Sequence, residues 1–227
     1  MDSKRPELVT ITRESLLNDA VRIRLQQQYH SVPFLTPQQQ QDNLAACLRH
    51  WCGKAPVYVF AYGSLIWNPA IHCEAVGTGR LFGRHRRMAM RSIVGRGTPE
   101  RPGLMLTLLP GGCCDGVVLK IEPSRALEEL SLLWRREMIS GSYRPRWLPV
   151  RAGEVVWDCL VFDHNPQHPS FVGPLSFEHE VQILSQAHGP LGPNKDYIYQ
   201  TVQALDAWQL RDACMSRLEK ALRAREL

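Results

Sequence analysis

Val57-Tyr58-Val59-Phe60-Ala61-Tyr62-Gly63-Ser64-Leu65-Ile66-Trp67-Asn68-Pro69 changes character halfway along its length. Its first six residues are apolar, β-branched or aromatic, the composition of a strand buried on both faces. Gly63-Ser64 ends that run, and Asn68-Pro69 closes the excursion with a turn signal. A strand that stops at Gly-Ser presents successive backbone N–H groups with little side chain over them. Such a concavity suits an anion, a carboxylate included. An ordinary strand running into a tight turn has the same spacing, so the segment by itself leaves its purpose open.

Outward from it, residues 57–162 read as short strands and glycine-rich turns. The candidates are 57–62, 74–81, 86–93, 104–109, 117–121, 144–150 and 155–162. Turns fall at Gly83, Gly95-Arg96-Gly97, Gly111-Gly112 and Ala152-Gly153. Closely spaced strands broken by a single helix predict an α+β fold built on a small closed or nearly closed barrel. Residues 1–54 read as a polar helical extension, and 55–227 as the main domain. In the extension Thr12 or Ser15 caps a helix to about Gln28, and Thr36-Pro37 caps another. Gln38 to Gln41 suit an exposed face, and Gly53 offers a helix stop before the strand. Three helices end the chain, over 177–188, 196–205 and 208–223, the first two separated by Gly189-Pro190-Leu191-Gly192-Pro193-Asn194.

The bulk properties narrow the function. With 227 residues and 44% hydrophobic content, the chain buries a core without disulfide staples. Every apolar run falls far short of the roughly 18 residues a membrane span needs. Met1-Asp2-Ser3-Lys4-Arg5-Pro6-Glu7 has no apolar stretch behind it and does not read as a secretory signal. Seven cysteines, two of them adjacent at Cys113-Cys114, fit reduced thiols in the cytoplasm. Cys47, His50, Cys52, His72 and Cys73 match no zinc spacing, so no metal is expected. The net charge of +5 is densest at Arg84-His85-Arg86-Arg87, whose members alternate sides on a strand. No aromatic residues interleave that run, so no nucleic-acid partner is expected, and the positive field favours a small anion equally well.

The helix after Pro123 supplies a candidate acid–base group. Leu127, Leu130, Leu133 and Trp134 define its inward face, and Glu137 falls on the same face. Glu128 and Glu129 flank the stripe with access to water, and Arg135 and Arg136 point away from it. A carboxylate at the end of a core stripe has to be paired, hydrogen-bonded or protonated. Burial raises its pKa toward the range in which a general base works. Pairing with a strand arginine such as Arg91 would instead make Glu137 a purely structural residue.

Three pieces of the chain, spread from about Pro56 to Tyr199, resemble the γ-glutamylcyclotransferases, and specifically their ChaC-like, glutathione-specific branch. They are Tyr62-Gly63-Ser64-Leu65-Ile66-Trp67-Asn68-Pro69-Ala70, then Leu133-Trp134-Arg135-Arg136-Glu137-Met138-Ile139-Ser140-Gly141-Ser142-Tyr143, then Gly189-Pro190-Leu191-Gly192-Pro193-Asn194-Lys195-Asp196-Tyr197. Gly95-Arg96-Gly97-Thr98 also resembles a loop of bacterial members. The chain departs from the pattern at Ala61, where many members have Gly. The resemblance implies a small mixed β-barrel wrapped by helices and a cofactor-free cleavage of glutathione to 5-oxoproline and Cys-Gly. It aligns Glu137 with the acid–base glutamate. It also implies a substrate-binding strand end and loop, Val59, Phe60, Ala61, Tyr62, Gly63, Ser64 and Leu65. Arg96, Tyr143 and Tyr197 are further candidates, each equally readable as a core group bonded to backbone.

Two other functions use the same residues. One is a cyclotransferase for other γ-glutamyl peptides or amines. The other is a catalytically silent regulatory or binding protein, against which an inward-facing Glu137 argues, since a pure binder has no use for a buried base.

Overall fold

The computed structural model describes residues 8–226, so the reading of residues 1–7 lies outside the described part. Its centre is one long, bent hairpin. Strand β2 (Glu74–Ser92) pairs antiparallel with β3 (Gly103–Ile121), from Glu74 opposite Lys120 to Ser92 opposite Gly103. Each of these strands had been expected as two. Gly83 and Gly111-Gly112 do not turn the chain. They sit at a register shift between Phe82 and Arg84, all three with positive φ, so the ladder continues through a bulge. Glycine punctuates bulges and turns alike, which is why the sequence pattern divided these strands.

Strand β1 (Val57–Ala61) pairs antiparallel with β3, while β4 (Tyr143–Ala152) pairs with both β2 and β5 (Val155–His164). A short parallel match of Tyr58 with Cys159 and Val59 with Leu160 joins β1 to β5. The result is a closed mixed barrel in the order β1-β3-β2-β4-β5. Its wall separates two cores. Val57, Val59 and Ala61 of β1 pack in one, and Phe60 and Tyr62 in the other.

The first core is shared with the N-terminal helices α1 (Arg13–Leu17), α2 (Ala20–Gln28) and α3 (Pro37–Cys47), and with α4 (Ala126–Glu137). The expected first helix is broken at Asp19, which has positive φ. Thr36 caps α3 through a capping box with Gln39, as the Thr-Pro pair predicts. That helix ends at Cys47, well before Gly53. Gln40 is buried, not exposed, and its Nε2 donates to the Met138 carbonyl at 3.2 Å. The second core is shared with α5 (Phe177–Gln186), α6 (Asn194–Ala207) and α7 (Ala213–Arg223). The last helix begins at Ala213, because Asp212 caps it by accepting the Met215 N–H.

The arginines of the basic run turn inward to ion pairs: Arg84 to Asp163, Arg86 to Asp212 and Arg87 to Glu180. Among the described residues, no helix is long and apolar enough to cross a membrane.

Candidate active site

At the end of β1 the chain leaves the ladder and winds into a 3₁₀ turn over Ser64–Ile66. Val59, Phe60 and Ala61 remain in the wall, opposite Leu119, Val118 and Val117, with wholly buried side chains. Tyr62 marks the exit. Its hydroxyl donates to the Phe162 carbonyl at 2.6 Å, and its own carbonyl accepts from Nε of buried Arg86 at 2.5 Å. In the turn, the Gly63 carbonyl accepts the Ile66 N–H and the Ser64 carbonyl accepts the Asn68 N–H. The N–H groups of Ser64 and Leu65 precede this bonding and take no part in it. A Cβ on Gly63 would lie 2.9 Å from the Tyr197 hydroxyl, so only glycine leaves room for that ring.

Glu137 is the last residue of α4, with 14% of its side chain exposed, sheltered but reachable. Its stripe is Ala126, Leu130, Leu133 and Trp134; Leu127 is 64% exposed and lies outside it. Arg91 is not its partner, since that residue is exposed at the end of β2. The partner is Arg136, whose Nε stands 2.9 Å from Glu137 Oε1. Arg136 therefore does not point away from the core, and only 4% of its side chain is exposed. Its Nη2 donates to Ser64 Oγ at 2.9 Å and its Nη1 to the Asn68 carbonyl.

Burial raises the Glu137 pKa above the ordinary 4.5, and the Arg136 charge opposes that rise. Tyr62, Tyr143 and Tyr197 all feel the Glu137 charge. Burial first, and then neighbouring groups, push Tyr62 and Tyr143 well above 10 and Tyr197 to about 12. All three remain neutral hydroxyls at physiological pH. Tyr143 donates to the Leu106 carbonyl at 2.8 Å.

Tyr197 lies in the first helical turns of α6, and the segment leading to it forms a miniature hairpin, β6 (His188–Gly189) with β7 (Gly192–Pro193). That hairpin docks on the Gly95-Arg96-Gly97 loop. A Cβ on Gly189 would strike the Gly95 carbonyl at 2.3 Å, so the contact is backbone on backbone. Buried Asn194 binds both the N–H and the carbonyl of Leu104, at 2.6 and 2.8 Å. Arg96 reaches the Pro193 carbonyl at 3.2 Å and Gln200 Oε1 at 3.0 Å, and burial beside Tyr197 lowers its pKa from the ordinary arginine value.

The three sequence motifs thus meet at one end of the barrel. Glu137, Tyr62, Gly63, Ser64, Tyr143 and Tyr197 come together there, with Arg96 beside Tyr197, while Val59, Phe60, Ala61 and Leu65 build the wall and floor behind them. Arg136 is the member sequence reading missed. Its signal was adjacency to Glu137, since a long guanidinium stem reaches around a helix from a position off the stripe. Two open clefts, of about 710 Å³ beside Arg86, Arg87 and Asp212 and about 600 Å³ beside Arg91, Phe171 and His179, are lined without Glu137.

The family model described as ChaC-like protein matches residues 57–225. The glutathione-specific gamma-glutamylcyclotransferase of Escherichia coli is 36% identical over 204 residues, covering 89% of this chain and 87% of that protein. Glutathione-specific gamma-glutamylcyclotransferase 1 of Danio rerio is 29% identical over 66% of this chain and 80% of its own. A crystal structure of a γ-glutamyl cyclotransferase specific to glutathione from yeast superposes with a TM-score of 0.67. At 22% identity, over 76% of this chain and 100% of that one, this last likeness speaks to the fold.

Proposed function

The chain belongs to the ChaC-like family, and on that footing we propose that it is a glutathione-specific γ-glutamylcyclotransferase with Glu137 as its acid–base group. The observation that carries this reading is the meeting of a sheltered carboxylate of raised pKa with the loop 62–65 at one barrel end, the two joined through Arg136. The substrate supplies its own nucleophile. The α-amine of the γ-glutamyl group attacks its γ-carbonyl, forming the ring C–N bond, and the bond from that carbonyl to the cysteinyl nitrogen breaks. Glu137 takes the proton the amine loses and gives one to the departing nitrogen, so 5-oxoproline and Cys-Gly leave with no water consumed. No Ser or Cys nucleophile is needed, because ring closure is intramolecular and the protein's task is to hold the reactive conformer.

In this reading the N–H groups of the 62–65 loop hold the γ-glutamyl carboxylate and the developing oxyanion. Neutral Tyr197 stands beside Glu137 as a hydroxyl donor, Tyr143, whose proton goes to the Leu106 carbonyl, is left as an acceptor, and Arg96 meets an anionic end of the tripeptide. Seven free cysteines support a reducing, cytoplasmic setting.

The test is to incubate the protein with reduced glutathione and to follow 5-oxoproline and Cys-Gly by mass spectrometry, with Glu137→Gln alongside. Both products from the wild type and neither from the variant is the expected result. Equal product from the variant removes Glu137 from the chemistry. Faster turnover of γ-glutamyl-alanine than of glutathione moves the specificity to other γ-glutamyl compounds.

A further inference from the structure

Arg136 holds three groups at once, and each belongs to a different part of the site. Its Nε meets the carboxylate of Glu137, its Nη2 the hydroxyl of Ser64, and its Nη1 the carbonyl of Asn68. Ser64 opens the loop that leaves β1, and Asn68 closes it, donating its N–H back to the Ser64 carbonyl at 2.9 Å. The side-chain amide of Asn68 then reaches the Ile11 carbonyl at 3.0 Å, which ties the loop to the N-terminal segment. A guanidinium is a rigid fork whose five N–H donors lie in one plane. Seated on these three acceptors, it fixes where the carboxylate stands relative to the loop.

We propose that Arg136 is a positioning residue that locks the Glu137 carboxylate to the 64–68 loop, so that base and loop present one fixed geometry to the substrate. The proposal rests on the reading of Glu137 as the base. The buried charge has a second consequence. The titratable groups facing Glu137 from other elements are Tyr62 at the end of β1, Tyr143 at the start of β4 and Tyr197 on α6, all neutral at physiological pH. Arg136 is the cation among these neighbours, so it opposes the rise that burial imposes on the carboxylate and favours the ionised form that accepts a proton. A lysine in its place keeps the charge but not the fork, and serves one acceptor well where arginine serves three.

The experiment compares wild type, Arg136→Lys and Arg136→Met by two readouts. The first is the pH dependence of kcat/KM on glutathione. The second is the titration of the Glu137 side chain by ¹³C NMR on glutamate-labelled protein, assigned by its disappearance in Glu137→Gln. Thermal melts select the variants that fold. Arg136→Met is expected to lower kcat/KM by about 100-fold or more, the loss of a charge-assisted contact together with its neighbours. Its acidic limb and its NMR midpoint should move to higher pH together, because burial remains while the stabilising charge is gone. Arg136→Lys is expected to lose roughly tenfold, with most of the pH shift rescued.

A Glu137 midpoint that stays at the wild-type value in both variants overturns the proposal, as does full activity in Arg136→Met. Should Arg136→Met fail to fold, Arg136→Lys with wild-type kcat/KM overturns it equally. The NMR titration needs no turnover. A wild type that yields no 5-oxoproline therefore defeats the functional reading, while the titration still decides whether Arg136 and Glu137 are coupled.

Discussion

Two carboxylates on α4 occupy contrasting surroundings. The Glu129 side chain has no exposed surface. Its Oε2 accepts from Arg13 Nη1 at 2.8 Å and from the His72 backbone N–H at 2.9 Å, and the His72 ring stands 3.2 Å from its Oε1. These partners come from α1 and from the segment before β2, so Glu129 pins the N-terminal helices to the barrel. Glu137 has one cationic partner, which it shares with a loop, and a face still open to solvent. A wholly buried charge that ties distant elements together serves the fold, whereas one whose ionic partner is its sequence neighbour and that keeps an exposed face is free to meet a substrate.

Exchanging their fates is the strongest way to break this comparison. Glu137→Gln is expected to lower kcat by about 1000-fold, the scale of lost general acid–base catalysis, while the protein folds normally. Glu129→Gln should leave turnover of the folded protein within about threefold. It should cost roughly 2–3 kcal/mol of stability, less than a fully buried pair because Arg13 is partly exposed. Activity on glutathione and urea melts of both variants decide it. A Glu129 variant that is dead yet fully stable would merge the two roles.

Gly63 sharpens the contrast on the loop side. Its φ of −143° lies outside the left-handed region, so no positive φ reserves the position for glycine. The obstacle is the Tyr197 hydroxyl, 2.9 Å from the added methyl, on a buried ring packed edge-on against Trp67. Gly63→Ala is expected to raise KM by about tenfold with a smaller fall in kcat, since it displaces a binding group more than the base. An unchanged KM would put substrate elsewhere than the 62–65 loop.

The strand and turn pattern made the barrel legible, because buried strands and a stripe of leucines each obey a simple period, whereas the grouping of the three motifs came from their likeness to the γ-glutamylcyclotransferases and not from any period. Glu129 was misjudged through one register choice. A stripe begun at Leu127 leaves it on the flank, whereas one begun at Ala126 takes in Glu129, Leu130, Leu133, Trp134 and Glu137 in sequence. Gln40 was hidden inside a run of four glutamines in which its neighbours are exposed, and side-chain type alone does not reveal which of them turns inward. Partners for buried polar groups come from distant parts of the chain, which no local period encodes.

The pH dependence of stability separates the carboxylates more gently. Burial raises the Glu137 pKa in the folded protein above its unfolded value near 4.5. Between the two values the folded state binds more protons, so stability falls as pH rises from the unfolded pKa through the folded one. Above that window the wild type carries a standing penalty that a glutamine does not. Glu137→Gln is therefore expected to equal the wild type in stability below pH 4.5 and to exceed it at pH 7.5. Denaturant melts at both pH values check this. A variant less stable at pH 7.5 would mean that Arg136 outweighs burial, and that Glu137 is held as firmly as Glu129.

The smallest expected effect concerns how the end of α4 is held. The four carbonyls after Glu137 each take a donor from another element. Met138 accepts from Gln40 Nε2 at 3.2 Å, Ile139 from the Leu35 N–H at 2.9 Å, Ser140 from His168 Nε2 at 3.0 Å, and Gly141 from Asn165 Nδ2 at 3.5 Å. The His168 contact fixes its tautomer, since its Nδ1 accepts the Ser170 N–H and Nε2 must carry the proton. Two of these braces come from the N-terminal segment, so that segment supports the base as well as Glu129. Gln40→Leu leaves the Met138 carbonyl with only the Gly141 N–H at 3.4 Å. The expected cost is about 1 kcal/mol, or a Tm lower by about 2–4 °C. With Glu137 no longer held in one rotamer against Arg136, kcat should fall about threefold at unchanged KM. Gln41→Leu, one residue along and exposed, should change neither. If Gln40→Leu lowers Tm but leaves kcat intact, the N-terminal helices stabilise the fold through Glu129 and contribute nothing to the placement of Glu137.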